Sequence, residues 1–539
     1  MEIGLFAGFY LLMVFFLCVL MFLHGEWGFC CSRKRRRVVH GPRSYPFVGS
    51  LFSFWKNAPR QMDWYTEMMA RSPTQTIVVE RLGGVKTVVT ASPANVEHIA
   101  RTQFENYPKG EPFTAILHDL LGRGIFNADG DSWKLQRKIA SYEFNTRSLR
   151  NFVVDVVGDA TSRLIDIMDG YAMQERPAAA AARLLDMQDV LQRLAFDNIC
   201  KVAFGVETGF LDASFPASEL AQAFDLATTL SSLRNTEPIS VIWKLKRLLN
   251  VGSERRLSDA VRVVHGFALD VVRSRMQESG ADEKIKFSNQ NQNQDLLSRF
   301  MEAVDCRGGN DGSEKFLRDI IVSFILAGRD TTSSALSWFF WLISSHRSVE
   351  DAIYNEIMAT GGSGSGSGTF SYEDLKNMKY LHAAICESMR LYPPVPINSR
   401  HALHDDKLPD GTMVGKGTRV TYHSYAMGRM PAIWGPDCLQ FKPERWLDDG
   451  GCFVPQGQFK YPVFHGGMRV CLGKEMAFIQ MKYVAASVIR RFRVRPVGCG
   501  ISPRLVHSLT SRMAGGFPVS IMPRNHHHHP SSTSTPESC

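Results

Sequence analysis

The chain holds 11 cysteines among 539 residues, an odd number spread widely, and it has no CxxC pair and no Cys/His zinc spacing. A disulfide framework and a structural zinc site are thereby excluded, and a reduced, cytosol-facing protein is expected. No GxGxxG run is present. The one glycine-dense tract, 361–368, alternates Gly with Ser and reads as a disordered surface linker. Flavin and nicotinamide motifs are missing as well, so any redox chemistry must draw its electrons from a separate protein. There is no internal repeat. The formal charge of +9 arises from Lys and Arg scattered among acidic residues outside one dense run, and nucleic acid is not expected as a partner. Proline is absent from 313–345 and glycine occurs there once, at Gly328. An otherwise apolar stretch of that length predicts a helix through the core. Arg329 and Asp330 within it argue for burial in protein and against a membrane span.

A hydrophobic content of 44% at this length suffices for a large core. Residues 3–23 are apolar and uncharged, matching the ~20 residues of a membrane-spanning helix. The run Arg33, Lys34, Arg35, Arg36 and Arg37 follows and holds that side in the cytoplasm. The length of the stretch and the side of the charges predict a retained single-pass anchor, not a cleaved signal. Four segments are expected: an anchor at 1–32, a basic and proline-rich hinge at 33–46, a globular domain at 47–524 and a disordered tail at 525–539. Gly41, Pro42 and Pro46 make the hinge a stiff, extended connector. The globular part reads as mainly α with a small β-rich region near its start. Thr76 to Glu80 and Val85 to Thr90 form a hairpin around Gly83 and Gly84. Helical periodicity follows at 133–140, 218–233 and 257–276, and polar surface loops at 288–294 and 307–312 flank a short helix.

Three segments carry chemistry. In Phe464-His-Gly-Gly-Met-Arg-Val-Cys471-Leu-Gly473, glycines let the backbone turn around one cysteine just before a helix, a position that favours a thiolate, which is a strong iron ligand. In Ala327-Gly-Arg-Asp-Thr-Thr332, the glycine lets a flat ligand approach the long helix, while a carboxylate and a hydroxyl can carry protons. Glu387 and Arg390, three apart, can pair on one helix face, and Phe441-Lys-Pro-Glu-Arg-Trp446 supplies a second arginine, Arg445.

Together these runs resemble the cytochrome P-450 superfamily. Its haem-binding pattern is met at Phe464, Gly467, Arg469, Cys471 and Gly473, and Ala477 fits as well. The resemblance implies the mainly helical P-450 fold around a buried haem b, preceded by one transmembrane helix, with Cys471 as the iron ligand. It implies Arg469, Trp133, Arg137 and Arg400 as partners of the haem propionates, and Thr331 with Asp330 as the proton-delivering pair. Glu387, Arg390 and Arg445 map onto a scaffold cluster behind the haem, with Trp446 where many members have Phe. The implied activity is NADPH- and O2-dependent monooxygenation in the endoplasmic reticulum membrane, with electrons from a separate NADPH-cytochrome P-450 reductase. Lys134, Lys138 and Lys474 would either offer that partner a basic docking face or form an ordinary solvated one. The runs Phe324 to Phe340, Tyr392 to Pro396 and Cys471 to Ala477 look like the plant fatty-acid ω-hydroxylases, a group that includes jasmonoyl-isoleucine hydroxylases and a few steroid side-chain hydroxylases. Terminal hydroxylation of a fatty acid is therefore expected. The channel would be lined by a loop at Phe113 to Leu117, by Phe324, Ala327, Val395 to Ile397, Leu509 and Thr510, with the acid's carboxylate near the mouth. A non-catalytic haem sensor and a haem-thiolate isomerase are the rival readings. Thr331 and Asp330 argue against both.

Overall fold

The computed structural model describes residues 40–46, 48–143, 147–172, 184–212, 219–237, 240–281, 296–305, 312–360, 369–498 and 503–524. The expected anchor at 3–23, the basic run 33–37, the polar stretches 288–294 and 307–311, the Gly/Ser tract and the tail lie outside them. Among the described residues no helix is long and apolar enough to cross a membrane. The described end of the hinge is pinned to the first strand, with the His40 carbonyl accepting the Val78 N–H at 2.9 Å.

Helices dominate. Those that carry the site are α1 (Glu111–Leu121), α2 (Gly130–Glu143), α3 (Met187–Phe204), α4 (Glu219–Thr236), α5 (Ser240–Leu249), α6 (Leu296–Asp305), α7 (Gly312–Ile325), α8 (Thr331–Ser345), α9 (Lys379–Leu391) and α10 (Lys474–Arg491). The segment Phe113 to Leu117, expected as loop, lies inside α1. Pro112 sits in its first turn, where its missing N–H costs nothing and its fixed φ favours helix. Helix α3 is capped by the Asp186 side chain, which accepts from the backbone N–H groups of Gln188 and Asp189. It ends at Gly205 in the left-handed region, φ 67°.

The expected hairpin forms from β1 (Thr76–Glu80) and β2 (Lys86–Thr90), turning through Gly83 and Gly84 at φ 75° and 74°. The sheet then takes β3 (Asn398–His401) and β4 (Arg419–Tyr422), in the order β1-β2-β4-β3, with β2 and β4 parallel. The β region is thus only partly N-terminal. Strands of four residues that contain Arg400 and Arg419 leave no alternating apolar signal, so sequence periodicity passes over them.

The core helix expected over 313–345 is α7 and α8 joined by a π-type turn at Leu326–Asp330. Side-chain hydroxyls engage the carbonyls at this turn: Thr331 Oγ1 donates to Ala327 at 2.6 Å and Ser333 Oγ to Arg329 at 2.7 Å.

Glu387 on α9 is fully buried. Its carboxylate accepts from Arg390 Nε at 2.7 Å and Nη2 at 2.8 Å, from the Lys442 backbone N–H at 3.0 Å and from Arg445 Nε at 3.3 Å. The Trp446 indole adds a bond of 2.9 Å, so the aromatic at this position is also a donor, which a phenylalanine could not be. Arg390 in turn donates to the carbonyls of Gly428, Cys438 and Gln440, tying α9 to the 428–446 segment. Glu387→Ala leaves two guanidiniums unpaired in the interior and is expected to cost ~3–5 kcal/mol. Thermal unfolding should drop by several degrees, and an unchanged midpoint would show that the cluster is not the joint between these segments.

Candidate active site

Cys471 lies between a 3-10 turn at Gly467–Arg469 and the start of α10. Its N–H donates to the Phe464 carbonyl at 2.8 Å, closing the loop back on itself. Gly467 adopts φ 64°, and a Cβ there would stand 2.0 Å from the Ala100 carbonyl oxygen, so no other residue fits. Phe464 packs edge-tilted on Phe478 of α10, 5.3 Å between ring centres. Burial pushes the Cys471 thiol up, opposed by a backbone bond from Gly473 and by the charges of Arg137 and Lys474. The helix start therefore does not by itself deliver the thiolate expected from the sequence. Coordination to a metal ion deprotonates a thiol outright. Cys200, Cys386 and Cys438 are buried, and their thiols are pushed up as well, by burial first.

Around this loop the structure gathers the expected cations. Arg469 Nη2 pairs with Asp129 at 2.6 Å and donates to the Ala128 carbonyl at 3.0 Å, while its Nε is buried without a partner. Its guanidinium lies 4.4 Å from the centre of the Trp133 ring, and Arg137 Nη2 donates to the Val470 carbonyl at 2.8 Å. Arg400, on β3, donates to the Ser399 carbonyl at 3.3 Å. Burial and the charges of Arg400 and Arg137 pull Arg469 down to about 9, despite Asp129. Lys109, which no motif flagged, is pulled well down by burial, Arg400 and Arg469. His465 falls to about 3 through burial and the same cations and is a neutral imidazole. Crowded buried cations sharing one carboxylate, with an orphaned N–H among them, are costly unless further anions join them. Two propionate groups beside a cysteine thiolate meet that need, and the residues present fit a haem. Trp133, Arg137, Arg400 and Arg469 are brought together as expected, and Asp129 and Lys109 are additions that sequence spacing could not have found.

On the distal side Asp330 is buried and accepts from Arg329 Nη1 at 2.7 Å. Arg329 Nη2 also reaches Asp225 of α4 at 2.7 Å, and Arg512 reaches the same Asp225 oxygen at 2.6 Å. Burial raises the Asp330 carboxyl against the pull of Arg329 and Arg512. Asp225, which burial would also raise, is held low by the same two arginines. Neither Asp225 nor Arg512 stands in a recognisable motif.

Two expectations on this helix are corrected. A Cβ on Gly328 would lie 2.6 Å from Ile199 of α3, so the glycine serves close helix packing and not the approach of a flat ligand. Phe324, one helical turn earlier on that face, packs on Phe300 of α6 at 6.3 Å between ring centres and belongs to the core, not to a channel. Within 319–340 the half-exposed positions are Leu326, Ala327, Gly328 and Thr331, and Ala327 and Thr331 share a face one turn apart. Phe113, Val395, Ile397 and Leu509 are half-buried, while Leu117, Pro396 and Thr510 are buried. Of the basic residues proposed for docking, Lys134 lies 3.6 Å from exposed Glu105, and Lys474 sits over the Phe464 ring.

If Cys471 holds a haem iron, Cys471→Ser should fold to the same helical content but lose the ferrous carbon-monoxide spectrum of a thiolate ligand. Retention of that spectrum would move the ligand elsewhere.

The sequence model of the family described as cytochrome P450 matches residues 39–506. Among curated relatives, cytochrome P450 94A2 of Vicia sativa is 49% identical over 490 residues, covering 90% of this chain and 91% of its own length. Cytochrome P450 94B1 of Arabidopsis thaliana is 46% identical over 492 residues, with coverage of 90% and 91%. Cytochrome P450 94B3 of Arabidopsis thaliana is 45% identical over 525 residues, with coverage of 96% and 98%. Family membership carries a haem iron, an electron-donating redox partner and a small-molecule substrate. With the cysteine loop, the cation cluster and the Asp330–Thr331 turn all in place, the chain belongs to the cytochrome P450 family and is a haem-thiolate monooxygenase.

Proposed function

We propose that the chain hydroxylates the terminal carbon of a fatty acid or a similar alkyl-bearing acid, at the endoplasmic reticulum membrane, with electrons from NADPH through the NADPH-cytochrome P-450 reductase. The observation that carries the reading is the group Leu326, Ala327, Gly328 and Thr331, half-exposed where the other residues of 319–340 are buried. An accessible hydroxyl there lies against aliphatic surface, which suits a substrate presenting only C–H bonds.

A haem bound at Cys471 supplies dioxygen activation and the oxidation of an unactivated C–H bond. Thr331 keeps its hydroxyl at the accessible face by donating to Ala327, which leaves its oxygen lone pairs free to accept. Asp330 holds a proton more readily than an exposed aspartate, because burial raises its carboxyl. Arg329, fixed between Asp330 and Asp225, keeps that carboxylate from turning into the apolar space. Apolar surface around Ala327 excludes water and leaves position on the chain to geometry.

The test is product analysis with NADPH, reductase, oxygen and a panel of fatty acids, jasmonoyl-isoleucine and a sterol. The expected product is the terminal alcohol of a fatty acid. Turnover of jasmonoyl-isoleucine or the sterol alone, or mainly mid-chain hydroxylation, would overturn the fatty-acid reading and leave the monooxygenase intact. In the same assay Thr331→Ala should bind substrate and consume NADPH but return more hydrogen peroxide than product. Equal coupling in parent and variant would remove Thr331 from proton delivery.

Helix α5 supports the membrane location. Val241, Leu245, Leu248 and Leu249 form one helical stripe and are 66%, 53%, 81% and 61% exposed, beside Lys244, Lys246 and Arg247. Trp243 faces inward under Arg234. An apolar face turned to solvent and rimmed by cations fits a lipid surface. A chain lacking 1–39 should still float with anionic vesicles, and Leu245→Glu with Leu248→Glu should abolish this. Undiminished flotation of the double variant would exclude α5 as the contact.

A further inference from the structure

The far end of the core helix borders a cavity of about 860 Å³, within the range of roughly 300–1,000 Å³ that small-molecule sites occupy. Trp341 and Leu342 of α8, Tyr392 just past α9 and Leu505 line it, and the start of the helix Gln61–Arg71 closes another side. Among the described wall residues there is none of Cys471, Arg469, Arg400, Trp133, Asp330 or Thr331. Trp341 follows Thr331 by ten residues in α8, a separation on the order of 15 Å at 1.5 Å rise per residue. The space therefore belongs neither to the cation cluster around Cys471 nor to the half-exposed group at Ala327 and Thr331.

Its walls are held by contacts of their own. The Tyr392 ring stacks on Trp338 with centres 4.0 Å apart and planes 4° apart, and Trp341 meets both rings edge-on at 5.7 Å. Leu505 belongs to the strand Leu505–His507, which pairs with Ser511–Met513. Ser511 donates from Oγ to the Pro393 carbonyl at 2.8 Å and from its N–H to the Pro394 carbonyl at 2.9 Å, fixing that strand pair against the end of α9. On the opposite wall the Tyr425 hydroxyl donates to Asp63 Oδ1 at 2.8 Å and pins the helix Gln61–Arg71. Protein interiors close up around all but a few small voids, so a space of this size between fixed walls is pre-organised for an occupant.

Charge says what that occupant is. Arg429, half-buried, lines the cavity with its guanidinium 3.5 Å from the centre of the Tyr425 ring and 5.0 Å from that of Tyr392. Its Nη1 donates to the carbonyls of Leu391 and Tyr425, both neutral acceptors. Arg504 stands exposed in the same lining, and Arg60, also in it, is paired with Glu67. Among the described residues no carboxylate pairs with Arg429 or Arg504, and the acid that lines the cavity, Asp63, is taken by Tyr425. The space is thus positively charged and walled by flat rings. A carboxylate meets guanidiniums with charge-assisted hydrogen bonds, and an aromatic body gains by packing on the indole and phenol rings. We propose that this cavity is a second ligand site, which takes an aromatic organic acid. It is separate from the haem and independent of the fatty-acid reading above.

The experiment is isothermal calorimetry on the full-length, haem-loaded chain with 2-naphthoate, methyl 2-naphthoate and decanoate, in the parent and in Arg429→Gln, Arg504→Gln and Trp341→Ala. The parent should bind naphthoate roughly tenfold or more tightly than the ester, as a charge-assisted hydrogen bond requires, and decanoate more weakly than naphthoate. Arg429→Gln should bring naphthoate down to the ester's affinity and leave the ester unchanged. Arg504→Gln removes an exposed charge and should weaken naphthoate about two- to fivefold, again without touching the ester. Trp341→Ala takes away ring surface and should weaken both ligands alike. All three variants should keep the ferrous carbon-monoxide spectrum of the parent, since none of these residues lies at the haem. No binding of naphthoate to the parent up to about 1 mM overturns the site. So does naphthoate binding that none of the three substitutions changes, because the ligand then sits elsewhere. Decanoate bound as tightly as naphthoate overturns the aromatic class of the ligand. If Arg429→Gln does not fold, the contrast between Arg504→Gln and Trp341→Ala decides.

Discussion

The carboxylate of Glu387 is the point on which the proximal half of the molecule turns. A fully buried anion is tolerable only when its lone pairs are filled, and here Arg390, Arg445, Trp446 and a backbone N–H fill them. Arg390 then spends its remaining donors on carbonyls of the irregular 428–440 segment. This stretch, which includes the short helix Pro431–Trp434, is thereby tied to α9. The cysteine loop follows that stretch, so the position of Cys471 inherits the rigidity of an ion cluster it does not touch.

The interior carries a second electrostatic arrangement of opposite sign. Near Cys471 the protein assembles Arg137, Arg400, Arg469 and Lys109 against a single Asp129. An excess of buried positive charge costs stability in the isolated chain, and its depressed basicities record that cost. The same excess becomes an asset once a dianionic cofactor enters, so folding and haem binding are energetically linked through these groups. Near Thr331 the balance is even, with Arg329 and Arg512 facing Asp330 and Asp225. This neutral quartet joins the central helix to α4 and to the strand Ser511–Met513 without favouring an anion there.

The proposed selectivity for the end of an alkyl chain cannot come from bond strength, since the terminal C–H bond is stronger than its neighbours. It has to come from the geometry around Ala327, Gly328 and Thr331, the half-exposed group on the central helix. Helix α5 turns Val241, Leu245, Leu248 and Leu249 outward as an exposed apolar face.

Much of this was legible in the amino-acid order. The cysteine loop, the Asp330–Thr331 pair, the Glu387 cluster and the hairpin at 76–90 depend on local spacing, and local spacing is what a linear sequence records. The helical character of 313–345 followed from the absence of proline and the density of apolar residues. What the tertiary structure alone decided is which neighbour each face meets. Gly328 and Phe324 looked like cofactor and channel residues, but they turn to Ile199 and Phe300, because a helix radiates side chains in all directions and composition does not say which face a partner will take. Asp225, Arg512 and Asp129 have no meaning until residues far apart in the chain come into contact. Strands β3 and β4 are too short and too polar to announce themselves, and they form because a hairpin edge was waiting for them. Sequence determined the chemistry available to this protein; folding decided which charges would be paired and which left open for a ligand, because desolvation and Coulomb attraction act through space and not along the chain.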